Sequence, residues 1–329
     1  MKKYTVTAAM DGKHVVKASQ MAFPALEASD LYRALKHKDI RVDGRKISND
    51  IAVNEGSEVE VWLPDSLFEG EKKGAPELTF KKVAETDGLL LVNKPQGMPV
   101  HSGKNTGDVN LIDIIRKKSG YPEAELVHRI DMNTGGIIMI AKNKKYLEDA
   151  IKLFSDDLLV KRYRALMLGV PKGGEPVICE DEAVMLEVSA YLEKTSGGKV
   201  YIHDEKQPGD LPIATRYRVL NVYKGIGPSG EDVSDVELEL VTGRTHQIRA
   251  QFAHMGTPVI GDGNYGRNNK NSFFKNKEGG KVRYQQLFAT TLLLRKIPAD
   301  NLHRELSGRK FSIEPAFDVD LSRKKNNRR

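Results

Sequence analysis

The chain has 329 residues, 39% hydrophobic and 29% charged, the balance of a folded globular protein with room for two domains, which excludes a disordered or fibrous chain. Its 52 Lys and Arg against 45 Asp and Glu leave a formal charge of +7, which suits a polyanionic partner without requiring one. A single cysteine, Cys179, excludes an internal disulfide or a multi-cysteine metal site and points to a reducing cytoplasm, and no run approaches the roughly 18 apolar residues of a membrane span.

Along the chain, residues 1–22 are broken by Asp11 and Lys13 before an apolar run develops, so no export signal is expected. A first unit should run from about Lys17 to Val59, Val61 and Leu63, whose alternation places them on one strand face. Within it, Leu31, Ala34 and Leu35 have the core spacing of a helix over 29–37, and Asp43-Gly44 marks a turn between short strands. Residues 64–76 are polar and bounded by prolines, the signature of a linker. The expected division is therefore 1–63, a linker at 64–76, a larger domain at 77–318, and a basic tail at 319–329.

From Glu77 onward short strands alternate with a few helices. Residues 89–93 form an apolar strand stopped at Lys94-Pro95, and 137–141 another, entered from the turn Thr134-Gly135-Gly136. Asn143 offers a cap to a helix with Tyr146, Leu147, Ala150, Ile151 and Phe154 as its apolar stripe. Residues 160–170 return as a strand. In 236–240, Val236, Leu238 and Leu240 alternate with Glu237 and Glu239, which predicts one buried and one wet face. A further helix starts near Thr245 and ends at Gly256, with Pro258 beyond, its inward residues being Ile248, Phe252 and Met255 and Arg249 facing elsewhere. The fold class is α+β with a mixed, mostly antiparallel sheet and flanking helices.

Two glycine patterns, beginning at Gly225 and Gly261, fit G-x-G-x-x-G, but neither follows a strand and opens an apolar helix as a dinucleotide site requires. There is no Walker loop, no H-E-x-x-H and no C-x-x-C, so no metal or nucleotide cofactor is expected. Two other segments carry chemistry. In 126–142, Asp131 follows His128 and Arg129 on a constrained turn feeding a strand; alone, it is also readable as a turn-capping aspartate. In Val241-Thr-Gly-Arg-Thr-His-Gln-Ile-Arg249, residues Thr245, His246 and Gln247 stand at a helix start, where free N–H groups attract anions, although an ordinary amphipathic helix fits equally.

With their surroundings these segments resemble the RluA-type family of RNA pseudouridine synthases. The resemblance covers about 78–298 in five ordered blocks. They are residues 87–97 with Val100-His101; His128-Arg-Ile-Asp131 with Thr134, Gly136, Ala141 and Lys142; Val160-Lys-Arg-Tyr163 with Ala165 and Gly169; residues 242–249; and residues 254–266. The first unit is similar to an S4 RNA-binding domain. Two positions depart from the family pattern: Gly135 stands where serine is usual, and Phe288 where histidine is frequent.

The resemblance implies isomerisation of uridine to pseudouridine in structured RNA, without cofactor or metal. Asp131 is then the catalytic carboxylate that attacks or deprotonates the sugar, Arg244 its ionic partner, and Tyr163 a ring that stacks on the base and whose hydroxyl serves as general base. Arg129 fills the space left by the flipped uridine, and His128, Thr245, His246 and Gln247 belong to the substrate site. Lys94, Arg249 and the basic loop 267–283 would follow the RNA backbone, and Arg33, Lys36, His37, Lys38, Arg41, Arg45 and Lys46 make a similar cluster in the first unit. The implied partner is large-subunit ribosomal RNA, with transfer RNA the other option, and the implied state a cytoplasmic monomer. Two rivals remain open to the residues: an inactive RNA-binding or ribosome-assembly factor of the same fold, and a hydrolase of the nucleoside bond.

Overall fold

A computed structural model describes residues 1–68, 80–102, 109–195 and 198–322. The chain divides into two compact units, Met1–Glu77 and Leu78–Arg329.

In the first unit, strands Lys2–Thr5, Glu58–Val61, Ile40–Val42 and Arg45–Ile47 lie side by side in that order as an antiparallel sheet. Helices Val15–Ala22 and Ala28–His37 supply Val15, Ala18, Leu31 and Leu35 to a core completed by Val59 and Val61. Two helices on a small antiparallel sheet are consistent with the S4-like arrangement. Asp43 and Gly44 both have positive φ, 50° and 74°, which lets a two-residue turn join the short strands. The unit is larger than the hydrophobic pattern indicated, for it begins with the strand Lys2–Thr5. It also continues through helix Asp65–Phe68, where Phe68 is buried and packs edge-on against Phe23. The start of the expected linker is therefore core, and residues 69–76 of it lie outside the described residues.

Among the described residues, the second unit is built on a twelve-stranded sheet. Its centre runs Val233–Leu240, Leu159–Leu168, Leu287–Leu294, Gly135–Ala141, Leu89–Lys94. All described ladders between strands are antiparallel except that between Leu287–Leu294 and Gly135–Ala141, where Phe288 lies opposite Gly135. Both faces of this centre are covered. Leu90, Val92, Ile138 and Ile140 pack with Tyr163, Val236 and Phe252 on one side, while Leu89, Leu91, Ile137 and Met139 pack with Leu153, Leu159 and Leu292 on the other. Strands buried on both faces read as continuous apolar runs, as 89–92 and 137–141 do.

Three expectations are corrected here. The acidic side of strand Val233–Leu240 is not a wet face throughout: Glu237 is half-buried, and Glu239 is buried, accepting from Nε of Arg162 at 2.8 Å and Nη1 of Arg216 at 2.8 Å on the strands on either side. Its charge is satisfied across the ladder rather than by water. Helix Lys144–Ser155 is capped by Asn143, whose Oδ1 accepts the Lys145 N–H, but it buries Ala150 and Leu153 and leaves Ile151 exposed. The tail begins later than expected, because Val319 is buried in a cluster with Leu166, Val233 and Ile260; residues 323–329 lie outside the described residues.

Candidate active site

Asp131 stands on the loop between the short strand Glu125–Leu126 and Gly135–Ala141. That loop is held from several directions. Lys94, with no exposure to solvent, directs its three N–H donors to the carbonyls of Pro95 (3.0 Å), Met98 (2.8 Å) and Met132 (2.9 Å). Gln96 Nε2 donates to the Asn133 carbonyl at 3.0 Å, and Gln285 Nε2 to Thr134 Oγ1 at 2.7 Å. His128 Nε2 accepts the Met139 N–H at 2.9 Å. Burial lowers the His128 imidazole to about 3, with the Lys161 charge adding to it, so the ring is neutral and anchors the loop. Lys94 is not aimed at solvent, whereas His128 is half-buried, and the expected backbone-tracking role of Lys94 does not fit its position. Burial also pushes the Lys94 ammonium down to about 7, against the opposing charge of Asp131.

The ionic partner of Asp131 is Arg249 rather than Arg244. Nη1 of Arg249 lies 2.8 Å from Asp131 Oδ2, while its Nε and Nη2 grip Asp262 at 2.6 and 3.1 Å. The guanidinium also sits 5.2 Å from the ring centroid of Tyr265. Arg249 is buried on helix Gln247–His254, which is covered all round through Phe252, so a rule that assigns polar residues to a wet face misplaces it. Arg244 is exposed, and its backbone N–H donates to Gln247 Oε1 at 3.0 Å. Gln247 is likewise internal: Thr242 Oγ1 donates to its Oε1, and its Nε2 donates to the Ala214 carbonyl and Thr215 Oγ1. Arg249 and Gln247 thus build the site's wall, with these polar groups engaged by protein partners.

Asp262 and Tyr265 belong to the last sequence block, where neither has an expected role. Burial opposes the charge of Asp262, but hydrogen bonds and charge from Arg249, with the N–H groups of Tyr265 and Asn264, hold its carboxyl below the usual range. The same Gly261–Gly266 segment that fails as a dinucleotide loop is therefore the counter-charge loop of the site. A further residue, within the Val160–Tyr163 block but given no role there, is Lys161. Its ammonium lies 5.3 Å from the Phe154 ring centroid and is lowered by burial, with Asp157 opposing.

These groups surround a cleft of about 530 Å³ lined by Asp131, Tyr163, Lys161, Arg129, Arg244 and His246, among others. His128, Thr245, Gln247 and Arg249 also border it, so of the expected site residues Lys94 alone lies outside the lining. Tyr163 comes from the central strand Leu159–Leu168, which fixes its ring in the cleft floor. Burial first, and then the negative charge of Asp131, raise its phenol above the ordinary value, so the hydroxyl keeps its proton. The cleft thus holds one carboxylate, an apolar and aromatic floor, and a cationic rim of Arg129 and Arg244. Among the described residues, no group of three or more His, Cys, Asp or Glu is placed to hold a metal ion.

The family model for RNA pseudouridylate synthase matches residues 88–254, which contain Asp131, Tyr163, Arg244 and Arg249. The chain belongs to this family. It is similar to ribosomal large subunit pseudouridine synthase C of Vibrio cholerae, with 30% identity over 78% of each chain. It is also similar to the enzyme of that name from Buchnera aphidicola, with 29% identity over 88% of this chain and 86% of the other. The latter share exceeds what Leu78–Arg329 alone can supply, so the likeness enters the first unit. Among solved structures, human RNA pseudouridylate synthase domain containing 1 superposes with a TM-score of 0.51 at 25% identity, covering 68% of this chain and 80% of the other.

The protein is therefore an RNA pseudouridine synthase that converts uridine to pseudouridine, and neither rival reading gains support. Its two departures from the family pattern prove to be neighbours. A Cβ added to Gly135 would lie 2.6 Å from Phe288 Cε1. The synthase thus has a ring from Leu287–Leu294 filling the space above Gly135, one residue beyond the Asp131 turn at Thr134.

Proposed function

We propose that this synthase modifies uridines of large-subunit ribosomal RNA, with Asp131 as the reacting carboxylate, and that it works as a cytoplasmic monomer. The observation that carries the reading is the asymmetry of Asp131: Oδ2 is engaged by Arg249, while among the described residues Oδ1 accepts no hydrogen bond, His246 Nε2 approaching only to 3.8 Å. One oxygen is held and the other is left for a substrate in the cleft that Asp131 lines. The target RNA is supported by the names of the Vibrio and Buchnera relatives, which are ribosomal large subunit enzymes.

Isomerisation breaks the bond from ribose C1′ to uracil N1, turns the base, forms a bond from C1′ to C5, and moves one proton from C5 to N1. Atoms and electrons balance without a redox partner. A uridine stacked in folded RNA reaches this cleft only when flipped out, at a cost of a few kcal/mol. Arg129, exposed beside Asp131, can occupy the vacated place in the stack, where its planar guanidinium mimics a base. Asp131 then acts on the sugar, and the Tyr163 ring supports the loose uracil.

The Tyr163 hydroxyl keeps its proton, so it takes the C5 proton only as it gives its own away; passing that proton on toward N1 balances the one removed from C5 and leaves the phenol neutral. Exposed Arg33, Lys36, Lys38, Arg45 and Lys46 of the first unit, with Arg267, Lys277, Lys281 and Arg283 of the second, suit phosphate contacts. Part of that second loop serves the fold instead, since Phe274 is buried and Lys270 pairs with Glu231. The test is to map pseudouridines in ribosomal and transfer RNA from cells with and without the protein. Loss of specific large-subunit sites supports the assignment; loss confined to transfer RNA would redirect it.

A further inference from the structure

His246 has a backbone conformation that its position does not demand of a histidine. It precedes helix Gln247–His254 with φ 55° and ψ 17°, the left-handed region that side chains other than glycine adopt at a cost. Strain of this kind persists where surrounding contacts over-determine it. Here they do. The His246 carbonyl accepts the Ala250 N–H at 2.9 Å, its ring meets that of Tyr265 edge-on at 5.5 Å, and its Nδ1 lies 2.8 Å from the Tyr265 hydroxyl.

The partner of Nδ1 decides which ring nitrogen carries the hydrogen. Burial raises the Tyr265 phenol above its ordinary value, so the hydroxyl keeps its hydrogen and can give it to Nδ1. Burial, opposed by Asp131 and assisted by Arg249, holds the imidazole below its ordinary range, so the ring is neutral. A neutral ring that accepts at Nδ1 must donate at Nε2. That nitrogen lies 3.8 Å from Asp131 Oδ1, too long for a hydrogen bond between them, and both border the cleft. A donor and an acceptor are thus held side by side on the wall of the cleft a substrate would enter.

We propose that His246, oriented by Tyr265, donates its Nε2 hydrogen to the ribose 2′-hydroxyl of the target nucleotide and so anchors the sugar while the base turns. The inference rests on the reading of Asp131 as the carboxylate that acts at the sugar. If Oδ1 addresses C1′ or the hydrogen on C2′, a donor 3.8 Å from it is in reach of the 2′ oxygen, which is one bond from C2′ and two from C1′. The anchor belongs on the ribose because the uracil must rotate: a rigid donor on a base oxygen would oppose the turn, whereas one on the sugar leaves it free. The 2′-hydroxyl is also what distinguishes RNA from DNA at a single nucleotide, so this contact would make the cleft selective for ribose.

The experiment is a cycle between protein and substrate. Single-turnover rates are measured with an RNA oligonucleotide spanning a mapped target, carrying there either 5-tritiated uridine or its 2′-deoxy analogue, for wild type, His246→Ala, His246→Gln and Tyr265→Phe. Dividing the ribose rate by the deoxyribose rate within each protein, and comparing proteins, cancels the intrinsic difference between the sugars. A donor left unpaired should cost wild type roughly 10- to 100-fold on the deoxy substrate beyond that intrinsic difference. The ratio should collapse by about that factor in His246→Ala, recover in part in His246→Gln, whose amide can donate, and fall between in Tyr265→Phe. A ratio in His246→Ala within about twofold of wild type, while the variant melts normally and still turns over, overturns the contact. Asp131→Asn is run beside them: turnover by that variant would refute the carboxylate reading itself, whatever the ratios show.

Discussion

A Cβ placed on Gly135 would lie 2.6 Å from Cε1 and 2.7 Å from Cδ1 of Phe288, on the strand that pairs with it in parallel, so the two residues exclude any larger side chain at position 135. The clash is with a side chain. Gly135→Ala should therefore destabilise the protein by about 1–3 kcal/mol, the usual cost of overpacking, and Phe288→Leu in the same chain should recover most of it. At the next position the outcome differs: Gly136 has φ 117° and a Cβ there would lie 2.2 Å from the Ala289 carbonyl oxygen, which no trimming of a side chain relieves. Urea melts of the four proteins in the Gly135 and Phe288 cycle, with Gly136→Ala as reference, measure this. Additive effects of the two substitutions would show that the contact does not govern position 135.

Arg249 and Arg244 should behave as different kinds of residue. Arg249→Ala leaves Asp262 buried beside no cation and should cost about 3–5 kcal/mol of stability as well as turnover. Arg249→Lys, a point charge in place of a fork, cannot serve Asp131 and Asp262 together; it should fold and lose at least roughly tenfold in turnover at saturating RNA. Arg244→Ala should melt as wild type and chiefly weaken RNA binding, since the side chain is exposed at the rim. If thermal melting and tritium release show the larger loss for Arg244→Ala, the pairing described above is not the one used in catalysis.

Tyr163→Phe keeps the ring in the cleft floor and removes the hydroxyl. If the hydroxyl transfers a proton, single-turnover rates should fall by about 10²- to 10⁴-fold while RNA affinity stays within a few-fold. The pH profile adds a sign. Because burial and Asp131 raise the phenol above its ordinary value, wild type should gain no activity from phenolate formation between neutral pH and the ordinary range of tyrosine. A rate that rises there in wild type and not in Tyr163→Phe would mean the phenolate forms in the free enzyme after all.

What the sequence made legible followed from local rules. The Asp43-Gly44 turn, the Asn143 cap and the apolar runs at 89–92 and 137–141 depend on neighbours along the chain, and each is found in place. Asp131 was singled out by the resemblance of its motif to the family, since an aspartate on a turn is by itself readable as a cap, and the structure places it in the cleft lining. Its counter-charge was not, since both Arg244 and Arg249 lie in one motif and the choice depends on a helix that tertiary packing buries on every side. Glu239 and Lys94 misled for the same reason. Charged side chains read as wet, and only the partner strands and carbonyls that converge on them make burial tolerable. Tyr265 acquires meaning only when the loop at 261–266 folds back to His246.

The basic residues of the first unit should supply phosphate interactions that are equal in ground and transition states. A chain beginning at Leu78 should then retain turnover at saturating RNA and low salt but bind more weakly. The slope of log K against log salt should flatten by about 0.7–0.9 for each phosphate no longer neutralised, or about 2–4 for three or four of them. Filter binding across a salt series reads the slope directly. A truncated protein that folds and shows no turnover at any RNA concentration would mean that the first unit positions the substrate.

The central claim is that Asp131 carries the chemistry while affinity comes from elsewhere, and the most direct measurement is tritium release from 5-tritiated uridine in large-subunit ribosomal RNA by Asp131→Asn, paired with RNA binding by the same preparation. The expected result is release below about a hundredth of the wild-type rate at saturating RNA, with affinity within a few-fold, because phosphate contacts rather than one carboxylate hold the RNA. Release above that level by a variant that binds normally would contradict the assignment of Asp131.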